Sequence, residues 1–231
     1  MTERPILFSG PMVRAILESR KTQTRRPVKP QLVGHHWEAL PDYRHQVEVM
    51  PDSKGAHVRS THWQGAHADP FSQTVRCPYG SAGDHLWVRE TWAGGERVST
   101  EAGSFRDAVV YRADVPERDV RDEAYARKLA RIVAEGVWGG PWRPAIHMPR
   151  GFSRITLEVT GVRCHRLHEI TASDVAAEGV DLGEVDNWRQ WLHPDDAPAH
   201  TFGVRWDAIY GKGPFHWASN PWVWAVTFRR A

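Results

Sequence analysis

Seven residues near the N-terminus, RKTQTRR at positions 20–26, concentrate groups that could do chemistry. They hold four cations and two hydroxyls, and Lys21 precedes Thr24 by three residues. A helical turn or a bend would bring these two side chains together, whereas a regular strand would point them to opposite faces. We therefore expect the segment to lie where a short helix ends in a loop. On residue types alone, it is a solvated basic turn, a phosphate-binding patch or part of an active site.

Two carboxylates also stand out. In HLWVRETW (85–92), a strand would place Glu90 on the same inward face as Leu86 and Val88. A buried carboxylate is costly unless it is paired, so Glu90 should have a cationic or hydrogen-bonding partner, as a structural anchor or as a site residue. Glu178 is the last residue before Gly179 at the end of a predicted helix, where the helix dipole disfavours a carboxylate. Helix stability therefore does not explain Glu178.

Many short strands and few helices must position these residues. Strands are predicted at ILFS (6–9), HLWVRETW (85–92), VVYRAD (109–114), RITLEVTGVRCHRL (154–167) and NPWVWAVTFRR (220–230). Helices are predicted at MVRAILESRK (12–21), at HEITASDVAAEGV (168–180) with Thr171 as N-cap and Asp174 at N3, and at TFGVRWDAIYG (201–211). This pattern favours an α+β fold with a small mixed β-barrel over a parallel α/β sheet.

The composition is that of a globular protein, and it argues against several classes of protein. The chain has 231 residues, a net charge of +2 and two cysteines. A charge so close to zero argues against a strong nucleic-acid binder, and the absence of a disulfide framework suits a reducing compartment. No apolar run is long enough to span a bilayer, and the N-terminus lacks a signal-peptide pattern. We expect a cytoplasmic protein that does not enter a membrane.

Two stretches are predicted to be insertions. Residues 30–76 lack periodicity, contain six histidines and are expected to form loops and short strands. Residues 117–135 form a charged predicted helix inside a second insertion at about 115–145. The histidine spacings fit no standard zinc pattern, so no metal site is expected there.

Four landmarks carry a resemblance to a known family. They are a strand and helix followed by SRKTQTRR, then GDHLWVRE, then SRITLEVTGV with a short helix, and finally NPWVWAVTF. Together they resemble the ASCH family of the PUA-like superfamily, in the branch found in phage and prophage genomes. The resemblance covers most of the chain and leaves out the two insertions. It implies a single domain over residues 1–231, with a PUA-like small mixed β-barrel, flanking helices and a cleft beside the first helix.

The family includes amidohydrolases acting on N4-acetylcytidine, which carry a GRKTxTxR-type stretch. The match implies that Lys21, Thr24 and Glu178 are catalytic. The residues that we expect to hold or position the substrate are Arg20, Arg25, Arg26 and Glu90. Ser19 stands where that group usually has glycine, which a serine tolerates only if its φ stays below zero.

The implied reaction is hydrolysis of an N4-acyl group from a modified cytidine, as nucleoside or nucleotide. In this hypothesis the Thr24 hydroxyl, or a water that it holds, attacks the acyl carbon. Lys21 acts as the base, provided that burial and the neighbouring arginines lower its pKa. Glu178 passes a proton to the leaving exocyclic amine. Neither a metal nor a cofactor is required.

Two other functions stay open. The family also includes relatives that cleave single-stranded RNA, and Arg25, Arg26 and Lys29 could contact phosphates. The tryptophans that could stack on bases are Trp37, Trp63, Trp87, Trp138 and Trp142. The third function is a non-catalytic scaffold, in which the insertions serve a viral partner.

Overall fold

The chain is built mainly from β-strands. Its computed structural model describes residues 2–32, 43–52, 55–64, 71–99, 105–114, 141–181, 183, 186, 193 and 196–231. The strands are β1 (Glu3–Leu7), β2 (Gln23–Pro27), β3 (Tyr43–Asp52), β4 (Gly55–Gln64), β5 (Phe71–Arg76), β6 (His85–Arg89), β7 (Trp92–Ser99), β8 (Phe105–Tyr111), β9 (Thr156–Arg166) and β10 (Trp222–Arg230). The α-helices are α1 (Gly10–Leu17), α2 (Ala172–Ala177) and α3 (Ala197–Tyr210).

These strands form three sheets with the orders β1-β6-β9-β10-β2, β3-β4-β5 and β7-β8. The predicted mixed α+β class, with mostly strands and few helices, is confirmed. Over the described residues, however, no sheet closes into the expected barrel. In the same residues, no helix is long and apolar enough to cross a membrane.

The chain divides into two compact units. The first contains residues 1–2, 19–85 and 158–230. In it, β2 and β10 are antiparallel, with Arg25 opposite Ala225 and Thr24 opposite Val226. Because side chains alternate along a strand, Arg25 faces one side of this pair and Thr24 the other. An apolar core that includes Val175, Phe202, Trp206 and Val223 joins α2 and α3 to this part of the chain.

The second unit contains residues 3–18, 86–157 and 231. Helix α1 buries Val13, Ala15 and Ile16. Leu86 and Val88 in β6 are buried as well, which confirms the predicted inward face of that strand.

The first predicted insertion has more regular structure than expected. Strands β3 and β4 are ten residues long each and pair with each other along their whole length, and β5 adds a third antiparallel strand. The alternation in β4 is carried by Ala56, Val58 and Ser60, all buried. Alanine and serine give a weak hydrophobic signal, so the period of two was missed. The predicted charged helix at 117–135 and histidines 35, 36 and 67 lie outside the described residues.

Candidate active site

The RKTQTRR segment is extended rather than helical. Helix α1 ends at Leu17, Lys21 forms an isolated β-bridge with Glu178, and β2 begins at Gln23. Ser19 has a φ of 60°, so the condition stated for a serine at this position, a φ below zero, is not met. This left-handed residue ends the helical path early, as a glycine commonly does. The β-branched threonines that follow suit a strand.

Helix α2 begins and ends as the sequence predicts. The Thr171 hydroxyl accepts from the Asp174 backbone N–H at 3.2 Å, and the Asp174 carboxylate accepts from the Thr171 N–H at 3.2 Å. This capping box fixes the start of the helix. Glu178 is the C-cap, followed by Gly179 with a φ of 77°. The two carboxylates of this short helix, Asp174 and Glu178, are therefore four residues apart.

Lys21 and Glu178 form a buried ion pair. Lys21 Nζ donates to Glu178 Oε2 at 2.7 Å and to the Glu178 backbone carbonyl at 2.8 Å. Lys21 is only 2% exposed. Burial lowers the pKa of Lys21, the Glu178 carboxylate opposes this shift, and the charges of Arg26 and Arg25 add to it. The pair is a proton donor and acceptor in hydrogen-bond contact, shielded from water.

Arg25 joins this pair to a second carboxylate. Its Nη1 lies 3.2 Å from Glu178 Oε1 and donates to Gln23 Oε1 at 2.6 Å. Its Nη2 lies 2.9 Å from Asp174 Oδ2, and the Arg25 side chain is fully buried. The guanidinium is therefore buried and paired with Gln23, Glu178 and Asp174 within the protein.

The network reaches open space at Asp174 and Arg163. Arg163 Nη2 lies 2.9 Å from Asp174 Oδ1, and the Arg163 side chain is 57% exposed. Burial would raise the pKa of Asp174, but the Thr171 N–H and the charge of Arg25 hold it well below its usual range. Both residues line a cavity of about 340 Å³. Its other lining residues are Val49, Val162, Cys164, His165, Glu169 and Thr171.

Among the described residues, the ion pairs of this network join unequal numbers of cations and carboxylates. Three cations, Lys21, Arg25 and Arg163, meet two carboxylates, Asp174 and Glu178. An arginine does not lose its proton in proteins, whereas a buried lysine can. Release of the Lys21 proton therefore makes the network neutral, which suits a base.

The remaining predicted residues of the RKTQTRR segment lie around this network. Thr24 is buried, and β2 turns it to the face opposite Arg25. Lys21 and Arg25 both contact Glu178, so the extended segment does not bring Lys21 and Thr24 together as expected. Arg26 hydrogen-bonds the Tyr79 side chain, and burial raises the pKa of that phenol against the effect of Arg26. Arg20 Nη1 lies 3.4 Å from the Gly179 carbonyl, at the same helix end as Glu178.

Glu90 belongs to the second unit, where its partner is Arg154. The two side chains meet in a fork, with Arg154 Nε at 2.9 Å from Oε1 and Nη2 at 3.0 Å from Oε2. Arg154 Nη1 also donates to Asp114 Oδ2 at 2.7 Å. Burial raises the pKa of Glu90, and Arg154 opposes this. The prediction that an inward Glu90 needs a cationic partner is confirmed.

Sequence reasoning missed Asp174 and Arg163 as members of the site. In the sequence, Asp174 stands out only as the N3 residue of a capping box, and Arg163 only lies within a predicted strand. No local pattern links either residue to position 25. The usable signal was that Asp174 and Glu178 lie four apart on one short helix, so both carboxylates can face the same neighbour.

Other chemistries find less support. Among the described residues, no group of three or more His, Cys, Asp and Glu side chains could hold a metal ion. Trp87 is 7% exposed, and the Arg89 guanidinium lies 4.5 Å from its ring centroid. A ring covered in this way does not offer a face for base stacking. Burial raises the pKa of the Cys164 thiol to about 12, so this cysteine is not a thiolate nucleophile at neutral pH.

Three comparisons with known proteins bear on identity. The resemblance to the ASCH family comes only from landmarks in the sequence of this chain, and the site is described only from the geometry of this chain. No protein-family model, no curated protein and no solved structure matches this chain.

Proposed function

We propose that this protein is an amidohydrolase that removes an N4-acyl group from a modified cytidine, as nucleoside or nucleotide. The observation that supports the proposal most is the buried contact of 2.7 Å between Lys21 Nζ and Glu178 Oε2. Burial lowers the pKa of Lys21, so its amine can act as a base. The adjacent Glu178 carboxylate can then accept the proton from Lys21. The resemblance of the four landmarks to the ASCH family supports the substrate class. It also supports a PUA-like fold, and the two free cysteines suit a cytoplasmic location.

In the proposed reaction, neutral Lys21 takes a proton from the attacking oxygen, which belongs to a water or, after a change in the conformation of β2, to the Thr24 hydroxyl. The oxygen adds to the acyl carbon. Lys21 then passes the proton along its hydrogen bond to Glu178, which delivers it to N4 as the C–N bond breaks. Cytidine leaves as the free amine. The acyl group leaves as a carboxylic acid, directly after attack by water or through an ester on Thr24 that water hydrolyses.

The part of Thr24 needs its own variants, because the alternation of β2 turns it away from Arg25. Thr24→Val keeps the β-branched shape and removes the hydroxyl, whereas Thr24→Ser keeps the hydroxyl. A Thr24 nucleophile predicts that the serine variant turns over and the valine variant does not. A water nucleophile predicts a smaller loss in the valine variant.

RNA binding is favoured less by the described residues. Arg25 is enclosed by Gln23, Asp174 and Glu178, so it cannot reach a phosphate. Trp87 is covered by Arg89.

The test is release of cytidine from N4-acetylcytidine by purified protein, compared with Lys21→Met and Glu178→Gln. We expect both variants to lose at least about 100-fold in kcat, the size typical of an acid or base group. Arg229→Gln is the matched control, because it removes an exposed ion pair with Glu158 in the same unit. No turnover by the wild type would overturn the proposal for this substrate, and RNA cleavage would then be tested with the same variants.

A further inference from the structure

We infer that Arg25 is a positioning residue that holds the Glu178 carboxylate against Lys21 and, with Asp174, sets how readily Lys21 loses its proton. The inference rests on the proposed function for its catalytic meaning. Its physical content, a coupling between four buried charges, can be measured without substrate.

The geometry gives Arg25 a place that no other side chain of the segment has. Its Nη1 approaches Glu178 Oε1, while Lys21 Nζ takes Glu178 Oε2, so each oxygen of one carboxylate has its own cation. Its Nη2 meets Asp174 Oδ2 on the previous turn of α2. Only a planar guanidinium can reach two carboxylates in this way, and a lysine ammonium could not.

The surroundings hold the guanidinium in place. Gln23 Oε1 accepts from Nη1 at 2.6 Å, and the Phe202 ring of α3 lies 5.9 Å from the Arg25 guanidinium carbon. The side chain has no exposed area. Movement of Arg25 would therefore leave Glu178 and Asp174 with less compensation in a buried place, which is costly.

The charges of the network around Lys21 come from several elements. Glu178 and Asp174 belong to α2 and its C-cap, Arg25 and Arg26 to β2, and Arg20 to the preceding turn. From β9, Arg163 meets Asp174, and His165 lies near Arg25 with its pKa lowered by burial. The residues of β10 opposite Arg25 and Gln23 are Ala225 and Thr227, which carry no charge.

Two substitutions in this set should shift the titration of Lys21 in opposite directions. Arg25→Gln removes a cation next to Glu178, so the ammonium form of Lys21 becomes easier to keep and its pKa rises. Asp174→Asn removes the carboxylate that offsets Arg25, so the positive field at Lys21 grows and its pKa falls. A residue with only a packing role would not produce opposite shifts.

The experiment is an NMR titration of the full chain with lysine labelled at the side-chain Cε and Nζ. The chain has five lysines, and the spectrum of Lys21→Met identifies the Lys21 signal. We expect the Lys21 midpoint to rise by about 1 pH unit in Arg25→Gln and to fall by a smaller amount in Asp174→Asn. Arg229→Gln, which removes a distant exposed charge, should leave it in place.

Arg25→Lys separates the effect of the positive charge at position 25 from the effect of the guanidinium geometry. It keeps a cation but cannot hold both carboxylates, so the Lys21 midpoint should move less than in Arg25→Gln while kcat falls as far. In Arg25→Gln, the alkaline shift of Lys21 should also move the rise of kcat to higher pH. If Arg25→Gln does not fold, the Asp174→Asn titration decides the inference.

A Lys21 midpoint that stays unchanged in the folded variants, or that moves in the same direction in Arg25→Gln and Asp174→Asn, would overturn the role of Arg25. Failure to release cytidine from N4-acetylcytidine would instead overturn the proposed function, and the NMR result would stand by itself. The two failures are therefore distinguishable.

Discussion

The Lys21 network of the first unit and the Glu90 cluster of the second are opposite in charge. The first has Lys21, Arg25 and Arg163 against two carboxylates, whereas the second has Arg154 against Glu90 and Asp114. Burial favours the neutral form of one group in each: it lowers the pKa of Lys21 and raises the pKa of Glu90. The oppositely charged partner opposes the shift in both cases. Among the ion pairs of the described residues, cations therefore outnumber carboxylates in the first network, and carboxylates outnumber cations in the second.

The hydrogen bonds separate the two more clearly than burial does. Both oxygens of Glu90 are held by one arginine in a fork, which is the geometry of a fixed anchor. The oxygens of Glu178 go to two different cations, one of which is a lysine. A carboxylate that shares a hydrogen bond with a lysine can exchange a proton with it, whereas one held by arginine alone cannot. Glu90 is therefore an anchor, although the sequence also allowed a role in the site.

The largest expected effect is on turnover. Lys21→Met should lower kcat on N4-acetylcytidine by at least about 100-fold, while Glu90→Gln should keep most of it in the folded protein. Steady-state kinetics of both variants, with circular dichroism to confirm folding, make the measurement. Equal losses in the two variants would mean that the comparison between site and anchor is wrong.

Stability should show the reverse order. Glu90→Ala leaves Arg154 partly buried without its fork, so we expect the free energy of unfolding to fall by about 3 kcal/mol. Lys21→Met replaces a desolvated cation by an apolar chain and leaves Glu178 paired with Arg25, so the change should stay within about 1 kcal/mol. Urea unfolding measures both. Asp114→Asn, at a more exposed end of the Arg154 contact, is the control and should cost less than Glu90→Ala.

The pH dependence of stability should differ in sign between the two groups. The folded-state pKa of Lys21 is lowered from 10.5, so the unfolded chain binds more protons below that pH. Stability of the wild type should therefore rise relative to Lys21→Met as pH increases toward 10.5.

The folded-state pKa of Glu90 is raised from 4.5, so its contribution is fully present below that pH and is lost as pH rises through the folded value. Unfolding free energies measured across both pH ranges, with Lys21→Met and Glu90→Gln as references, give the two slopes. Parallel curves for wild type and Lys21→Met at alkaline pH would contradict the lowered pKa of Lys21.

The smallest expected effect is a change in stability at the turn before Lys21. This turn takes no part in the Glu90 cluster. Ser19 has a φ of 60°, which costs a residue other than glycine about 1 kcal/mol. Ser19→Gly should therefore stabilise the protein by up to about 1 kcal/mol without changing kcat. Thermal unfolding and the cytidine assay check both halves, and a loss of stability would mean that the serine side chain contributes a contact of its own.

Local signals in the sequence predicted a substantial part of these two regions. The capping box at Thr171 and Asp174, the end of α2 at Glu178 and the inward position of Glu90 all follow from spacing within a few residues, and the structure confirms them. Strands β9 and β10 were predicted for the same reason, since their alternation or apolar content is strong. The helical setting of Lys21 was wrong because one left-handed residue, Ser19, ended the helix earlier than the apolar pattern indicated.

By itself, the sequence determined which residue types stand at each helix end and strand face, because those choices depend on neighbours a few positions away. Only the tertiary structure decided which charges meet. Lys21 and Glu178 are 157 residues apart, and Arg25 and Glu178 are 153 apart. No local spacing encodes such contacts. They arise because the pairing of β2 with β10 and the packing of α2 and α3 around Val223 and Phe202 bring the segments together. Burial then makes the charges depend on one another, since a desolvated cation is stable only beside its partners.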